Sequence, residues 1–102
     1  MPNKHPALTD LKNAAATAQA WHSAVLTEIA GAKLKVLRMD GSASPAETHS
    51  YPEALLVIEG QLKLSLAEQT LCVLAGQLFV VPAGIAHAVA VGSHGTLVII
   101  DC

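Results

Sequence analysis

The stretch Glu53-Ala-Leu-Leu-Val-Ile-Glu-Gly60-Gln-Leu-Lys-Leu-Ser-Leu66 carries the signal that decides the fold. Its second half alternates apolar and polar residues, which in an extended chain sets Leu62, Leu64 and Leu66 on one inward face. Its first half is apolar at every position from Ala54 to Ile58, the pattern of a strand covered on both sides. Gly60 supplies a turn signal between the halves, so the stretch reads as strands over 53–59 and 61–66. The same short period continues outward in both directions. Strands are expected over 23–29, 33–39, 70–74, 77–81, 87–91 and 96–100. Gly31, Glu68-Gln69, Gly76, Pro82-Ala-Gly84 and Gly92-Ser-His-Gly95 punctuate them. Residues 40–45, rich in Gly, Ser and Pro, read as a loop.

About eight short strands at close, regular spacing describe an all-β fold, an antiparallel β-sandwich or small barrel. Ahead of it, residues 9–20 read as a short helix, with Thr9 or Asp10 as its cap and Ala14-Ala15-Ala16 supplying helix propensity. The expected organisation is a helical segment at 1–21 and one β domain at 22–102. No internal repeat or low-complexity tract interrupts it.

The chain has 102 residues, enough for one modest core. Apolar residues make up 52% of it, yet Trp21, Tyr51 and Phe79 are the only aromatics, so the core must be aliphatic. Charged residues are 14%, leaving little polar surface to keep copies apart, which points to a homo-oligomer. A net charge of -2 with six scattered basic residues argues against nucleic acid as a partner. No apolar run approaches the roughly 20 residues that span a bilayer, so no membrane partner is expected. The N-terminus, with Pro2, Lys4 and His5, lacks the apolar stretch of a signal peptide. Two distant cysteines, with Cys72 read as a buried mid-strand thiol, fit a reducing cytoplasm.

Four residues gather in two glycine-framed clusters. The first runs Glu47-Thr-His49-Ser-Tyr51-Pro-Glu53 between Gly41 and Gly60; the second runs from Gly76 through Pro82 and Gly84 to His87. In extended chain Glu47 and His49 project to one face, and Glu53 shares their parity beyond the bend that Pro52 imposes. His87 opens a strand after a tight turn and can arrive from the opposite side. Two neutral imidazoles with one or two carboxylates suit a single divalent ion of Fe, Mn, Ni, Co or Zn. His49, Glu53 and His87 alone leave coordination positions open; Glu47 adds a fourth ligand and neutralises a divalent charge. His5, His22 and His94 have no such setting, and His94 is expected in an exposed turn.

The spacing Gly41-(five)-Glu47-x-His49-(three)-Glu53-(six)-Gly60 resembles the first motif of the cupins, in which the Glu47 position is normally histidine. Gly76-(five)-Pro82-x-Gly84-x-x-His87 resembles the second, with Val91 where many members carry asparagine. The chain thus looks like a small single-domain cupin of the RmlC-like superfamily. The resemblance implies an antiparallel jelly-roll barrel, commonly dimeric, with a metal held inside by His49, Glu53 and His87. Glu47 is the departure. It either replaces the histidine as an oxygen ligand or stays off the metal, where it would serve as general base.

Arg38 and Tyr51 form a second tier of candidates for substrate binding. If Arg38 points inward it could grip a carboxylate with its fork of donors, although an arginine near a strand end more often reaches solvent; Tyr51 could donate to a bound ligand or only cover the loop beside Pro52. The functional expectation is a metal-binding cupin that acts on, or binds, a small organic molecule inside the barrel. Oxygenase, isomerase or lyase chemistry, a non-catalytic ligand- or metal-binding role, and a metal-free barrel all remain open at this stage. The aliphatic lining expected from Leu55, Val57, Leu62, Leu64 and Val89 implies a small pocket.

Overall fold

A computed structural model describes residues 7–102; Pro2, Lys4 and His5, read above as lacking a signal peptide's apolar stretch, lie outside them. The chain forms a short helix α1 (Leu11–Ala16) and eight strands. These are β1 (Ala24–Ile29), β2 (Ala32–Asp40), β3 (Ser44–Glu47), β4 (Glu53–Leu66), β5 (Gln69–Leu74), β6 (Leu78–Val81), β7 (His87–Val89) and β8 (His94–Asp101). Every pairing is antiparallel, and the strands run in the order β1-β2-β8-β4-β7-β3, with β5 and β6 joined to β4.

Strand β4 organises the barrel. It is one continuous strand of 14 residues where two were expected, because Gly60 at φ +83° bends the chain without breaking its pairing. The half before the bend pairs with β6 and β8, and the half after it with β5 and β7. One strand therefore serves both layers of the sandwich. Its second half alternates as expected, with Leu62, Leu64 and Leu66 buried; the first half, expected to be covered on both faces, buries Leu55 and Val57 and leaves Leu56 and Ile58 half-buried. The buried residues pack with Leu37, Met39, Val73, Val81 and Leu97 into a single aliphatic core.

The outer face of the β2/β8/β4 layer is partly covered by α1, whose Ala15 is buried. Asp10 caps the helix by accepting from Asn13 N–H at 3.1 Å. The helix stops at Ala16 rather than Ala20, and the chain after it crosses to the barrel mouth. Two other expectations are corrected. Cys72 is exposed, because the inward position of β5 belongs to its neighbour Val73. His94 opens strand β8 instead of sitting in a turn, although it is exposed as expected.

Candidate metal centre

Backbone pairing delivers the ligand candidates before any side chain is considered. Glu47, the last residue of β3, lies opposite His87, the first residue of β7. His87 in turn neighbours Leu66 of β4. Glu53 begins β4 on the inward face shared with Leu55 and Val57. His49 sits in the loop between β3 and β4, and the Pro82–Gly84 turn pins that loop: the Gly84 N–H donates to the His49 carbonyl at 2.8 Å. Gly84 adopts φ +79°, a conformation that a side-chain-bearing residue reaches only with strain. The glycine of the second cluster thus positions the histidine of the first.

Glu47, His49 and His87 converge, and Glu53 stands outside that group of three, beside the two imidazoles. His49 Nε2 lies 3.4 Å from Glu47 Oε2 and 3.9 Å from Glu53 Oε2, and His87 Nε2 lies 3.3 Å from Glu53 Oε1. The two imidazoles face each other at a centroid distance of 5.5 Å and a tilt of 54°. Donor atoms of Glu47, His49 and His87 all fall within 4.8 Å of one another. Glu53 and His87 are buried, His49 is partly buried, and Glu47 stands exposed at the rim.

Hydrogen bonding shows which way the rings present their lone pairs. His87 Nδ1 lies 3.2 Å from the Ile85 carbonyl, a group that can only accept, so Nδ1 carries the hydrogen. That leaves Nε2 free to ligate towards Glu53. Nε2 of His49 is buried and makes no hydrogen bond, despite the carboxylates around it. A buried imidazole nitrogen without a partner is costly unless a cation or proton completes it. Burial lifts the Glu53 carboxyl above its ordinary range. Positive charge on His49 and His87 opposes that rise, and the nearby Asp101 adds to it through its charge and a hydrogen bond.

Asp101 and Lys35 had no place in the sequence reading. Asp101, at the end of β8, is buried on the face of Leu97 and Ile99, and Lys35 Nζ reaches its two carboxylate oxygens at 2.9 and 3.0 Å. Parity was the available signal: Leu97, Ile99 and Asp101 alternate in step. Arg38 is the converse case, and the geometry corrects its expected role. The inward residues of β2 are Leu37 and Met39, so Arg38 faces the other way. There its guanidinium donates to the Ala18 carbonyl at 3.2 and 3.1 Å. It is absent from the cavity wall. Tyr51 stacks on His49 with centroids 5.1 Å apart and an interplanar angle of 15°, supporting the imidazole from outside.

Beside the four ligand candidates opens a cavity of about 160 Å³. Glu47, Glu53 and His87 form its polar end, Leu55, Leu62, Leu64 and Leu97 much of its wall, and Trp21, Ser44 and Pro45 contribute further lining.

A family model described as a cupin domain matches residues 35–102. No curated protein matches the chain. Among solved structures, a cupin-2 domain containing protein from Shewanella frigidimarina is 21% identical, with a TM-score of 0.84 over 92% of this chain and 93% of that one. A Neisseria meningitidis protein is also 21% identical, with a TM-score of 0.79 over 92% and 97%. Hydroquinone 1,2-dioxygenase from Sphingomonas sp. TTNP3, with 4-hydroxybenzoate bound, is 12% identical, with a TM-score of 0.81 over 93% of this chain and 73% of that one. At these identities the likeness is one of fold.

Proposed function

This chain belongs to the cupin domain family, and from that premise we propose that it binds one divalent metal ion through His49, His87, Glu53 and Glu47 and holds a small organic ligand beside it. The observation that carries this reading is the buried, unbonded Nε2 of His49, facing the carboxylates of Glu47 and Glu53 and the Nε2 of His87. Borderline nitrogen and hard oxygen donors fit Fe, Mn, Co, Ni or Zn in the divalent state, and the absence of thiolate from the set disfavours a closed structural zinc site. A bound ion of this kind would supply Lewis acidity, or a coordination site for oxygen if it is iron.

The chain's own residues supply the rest. His87, with Nδ1 fixed on Ile85, and His49, stacked on Tyr51, hold their rings without needing a ligand to order them. Where Glu47, exposed at the rim, stays off the ion and leaves His49, Glu53 and His87 to hold it, its carboxylate would take a proton from a ligand entering the cavity. That role favours a lyase, isomerase or oxygenase over a passive store. The dioxygenase neighbour with an aromatic acid bound lends the oxygenase reading some weight.

A homodimer belongs to the same reading, supported by Leu74, Leu78 and Val80, which stand exposed on β5 and β6. A reducing cytoplasm is supported by Cys72 and Cys102, both free and exposed. Among the described residues no helix is long and apolar enough to cross a membrane.

Elemental analysis after reconstitution with each ion, beside His49→Ala and His87→Ala, tests the proposal. The expected result is close to one metal per chain, lost in both variants. A protein that takes up none of the five ions would overturn it.

A further inference from the structure

Trp21 lines the cavity and packs against the aliphatic core. Its indole Nε1–H is shared between Asp40 Oδ1 at 2.6 Å and Ser42 Oγ at 2.9 Å. Its backbone N–H donates to the Arg38 carbonyl at 2.9 Å. The Arg38 guanidinium, in turn, grips the Ala18 carbonyl three residues earlier. Trp21 itself sits at φ +65°, a strained conformation for a bulky residue that persists only where surroundings enforce it. Two hydrogen bonds on the indole and one on the backbone thus hold Trp21 in one orientation against the pocket, while Arg38 ties down the chain before it.

From this geometry we infer that Trp21 is a specificity-determining wall of the cavity, and that it selects a ligand built on a single planar aromatic ring with a metal-binding head group. The inference rests on the metal reading above for the head group and on Trp21 for the ring. Size comes first. The cavity holds about 160 Å³, and an apolar protein cavity of about 150 Å³ takes up benzene. A second fused ring would not fit without displacing wall residues. Shape comes next. The remaining apolar wall is aliphatic, including Leu37, Val89 and Ile99, so Trp21 offers the one aromatic surface away from the polar end. A fixed indole favours a flat ring over a flexible chain of similar carbon count, because stacking adds to simple burial and no rotamer is lost to bring it about. Polarity orients the guest: Glu47, Glu53 and His87 line the cavity at its metal-binding end, which a carboxylate or phenolate can reach only through the ion they hold.

The chain contains a single tryptophan, so its emission reports on the wall directly. The test compares benzoate with hexanoate on the zinc-loaded protein by calorimetry, in the wild type, Trp21→Phe and Trp21→Leu. Fluorobenzene is titrated separately into metal-free protein while Trp21 emission is followed. The expected result is benzoate bound about tenfold more tightly than hexanoate, the size of one good stacking contact. That preference should survive in Trp21→Phe, vanish in Trp21→Leu, and be accompanied by a shift of Trp21 emission with fluorobenzene. Equal binding of the two acids by metal-loaded wild type, or an undiminished preference in Trp21→Leu, would overturn the inference. If the metal reading alone fails, zinc is not taken up while fluorobenzene still shifts Trp21 emission. If Trp21→Leu does not fold, the wild type decides: no shift of Trp21 emission with fluorobenzene would overturn the inference.

Discussion

Asp40 shows how one exposed residue can govern the barrel mouth. Hydrogen bonds from the Ser42 hydroxyl, the Trp21 indole and the Ser42 backbone hold its carboxyl down at about 2, against an ordinary 3.8. A lowered pKa means that the native state favours the ionised form. The interaction is therefore intact above pH 3.8 and is lost as the pH falls through about 2. Trp21 emission should stay constant from pH 7 to about 4 and change only on approach to 2. In Ser42→Ala, which removes the largest cause of the depression, the change should begin at higher pH. Asp40→Asn should alter the emission already at neutral pH while leaving far-ultraviolet circular dichroism unchanged. A wild-type midpoint at 3.8 or above would show that these hydrogen bonds do not hold the indole. At this scale the sequence was legible where chemistry is specific to residue type, as with His49 and His87. It was ambiguous where parity alone decides. On β2 both faces carry aliphatic residues, Val36 outward beneath α1 and Leu37 inward, so nothing in the chain told which way Arg38 would point.

Strands β4 and β8 meet at Gly60 and Gly95, which lie directly opposite each other. Both have left-handed backbones, φ +83° and φ +103°, and a Cβ on either would collide with main chain: at Gly60 with the His94 carbonyl, at Gly95 with the Glu59 carbonyl. Because the obstacle is backbone, no side-chain rotation relieves it. Gly60→Ala should therefore cost roughly 3 kcal/mol or more, combining left-handed strain with overpacking. Gly31 is a control, with φ +85° but open space around it, so Gly31→Ala should cost only about 1–2 kcal/mol. Urea midpoints of the two variants check this, and equal losses would show that the close approach is not the reason for Gly60. The element pattern was largely readable. The alternation in the second half of β4 survives intact, and the glycine taken for a turn proves to be the bend that lets one strand serve two layers. What escaped was β3, because Ser44 and Pro45 look like loop. Proline is tolerated there because β3 is the last strand of the sheet, with one edge unpaired. Its strand state comes from pairing with β7, a tertiary fact that local propensity does not carry.

Across the whole barrel the inner face divides into an aliphatic body and one charged end. At that end Lys35, Asp101, Glu53, His87, His49 and Glu47 follow one another in contact. With both imidazoles neutral, one ammonium faces three carboxylates, leaving two negative charges, the amount a divalent ion balances. Without an ion, the balance must come from protons, and the raised pKa of Glu53 is the local sign of that demand. The direction for stability follows. Above 4.5 the unfolded chain has released the Glu53 proton while the native protein still holds it, so native stability falls as pH rises until the elevated native pKa is passed. Chelator-treated protein should accordingly show a lower urea midpoint at pH 8 than at pH 5. Glu53→Gln, which cannot ionise, should lose most of that decline. Adding the cognate ion at pH 8 should restore the midpoint, by about 2.7 kcal/mol at a hundredfold excess over Kd. A metal-free protein as stable at pH 8 as at pH 5 would mean that the buried carboxylates are already compensated by the protein, with Lys35 and protonated histidines doing so, and the case for a metal at this end of the barrel would fall with it.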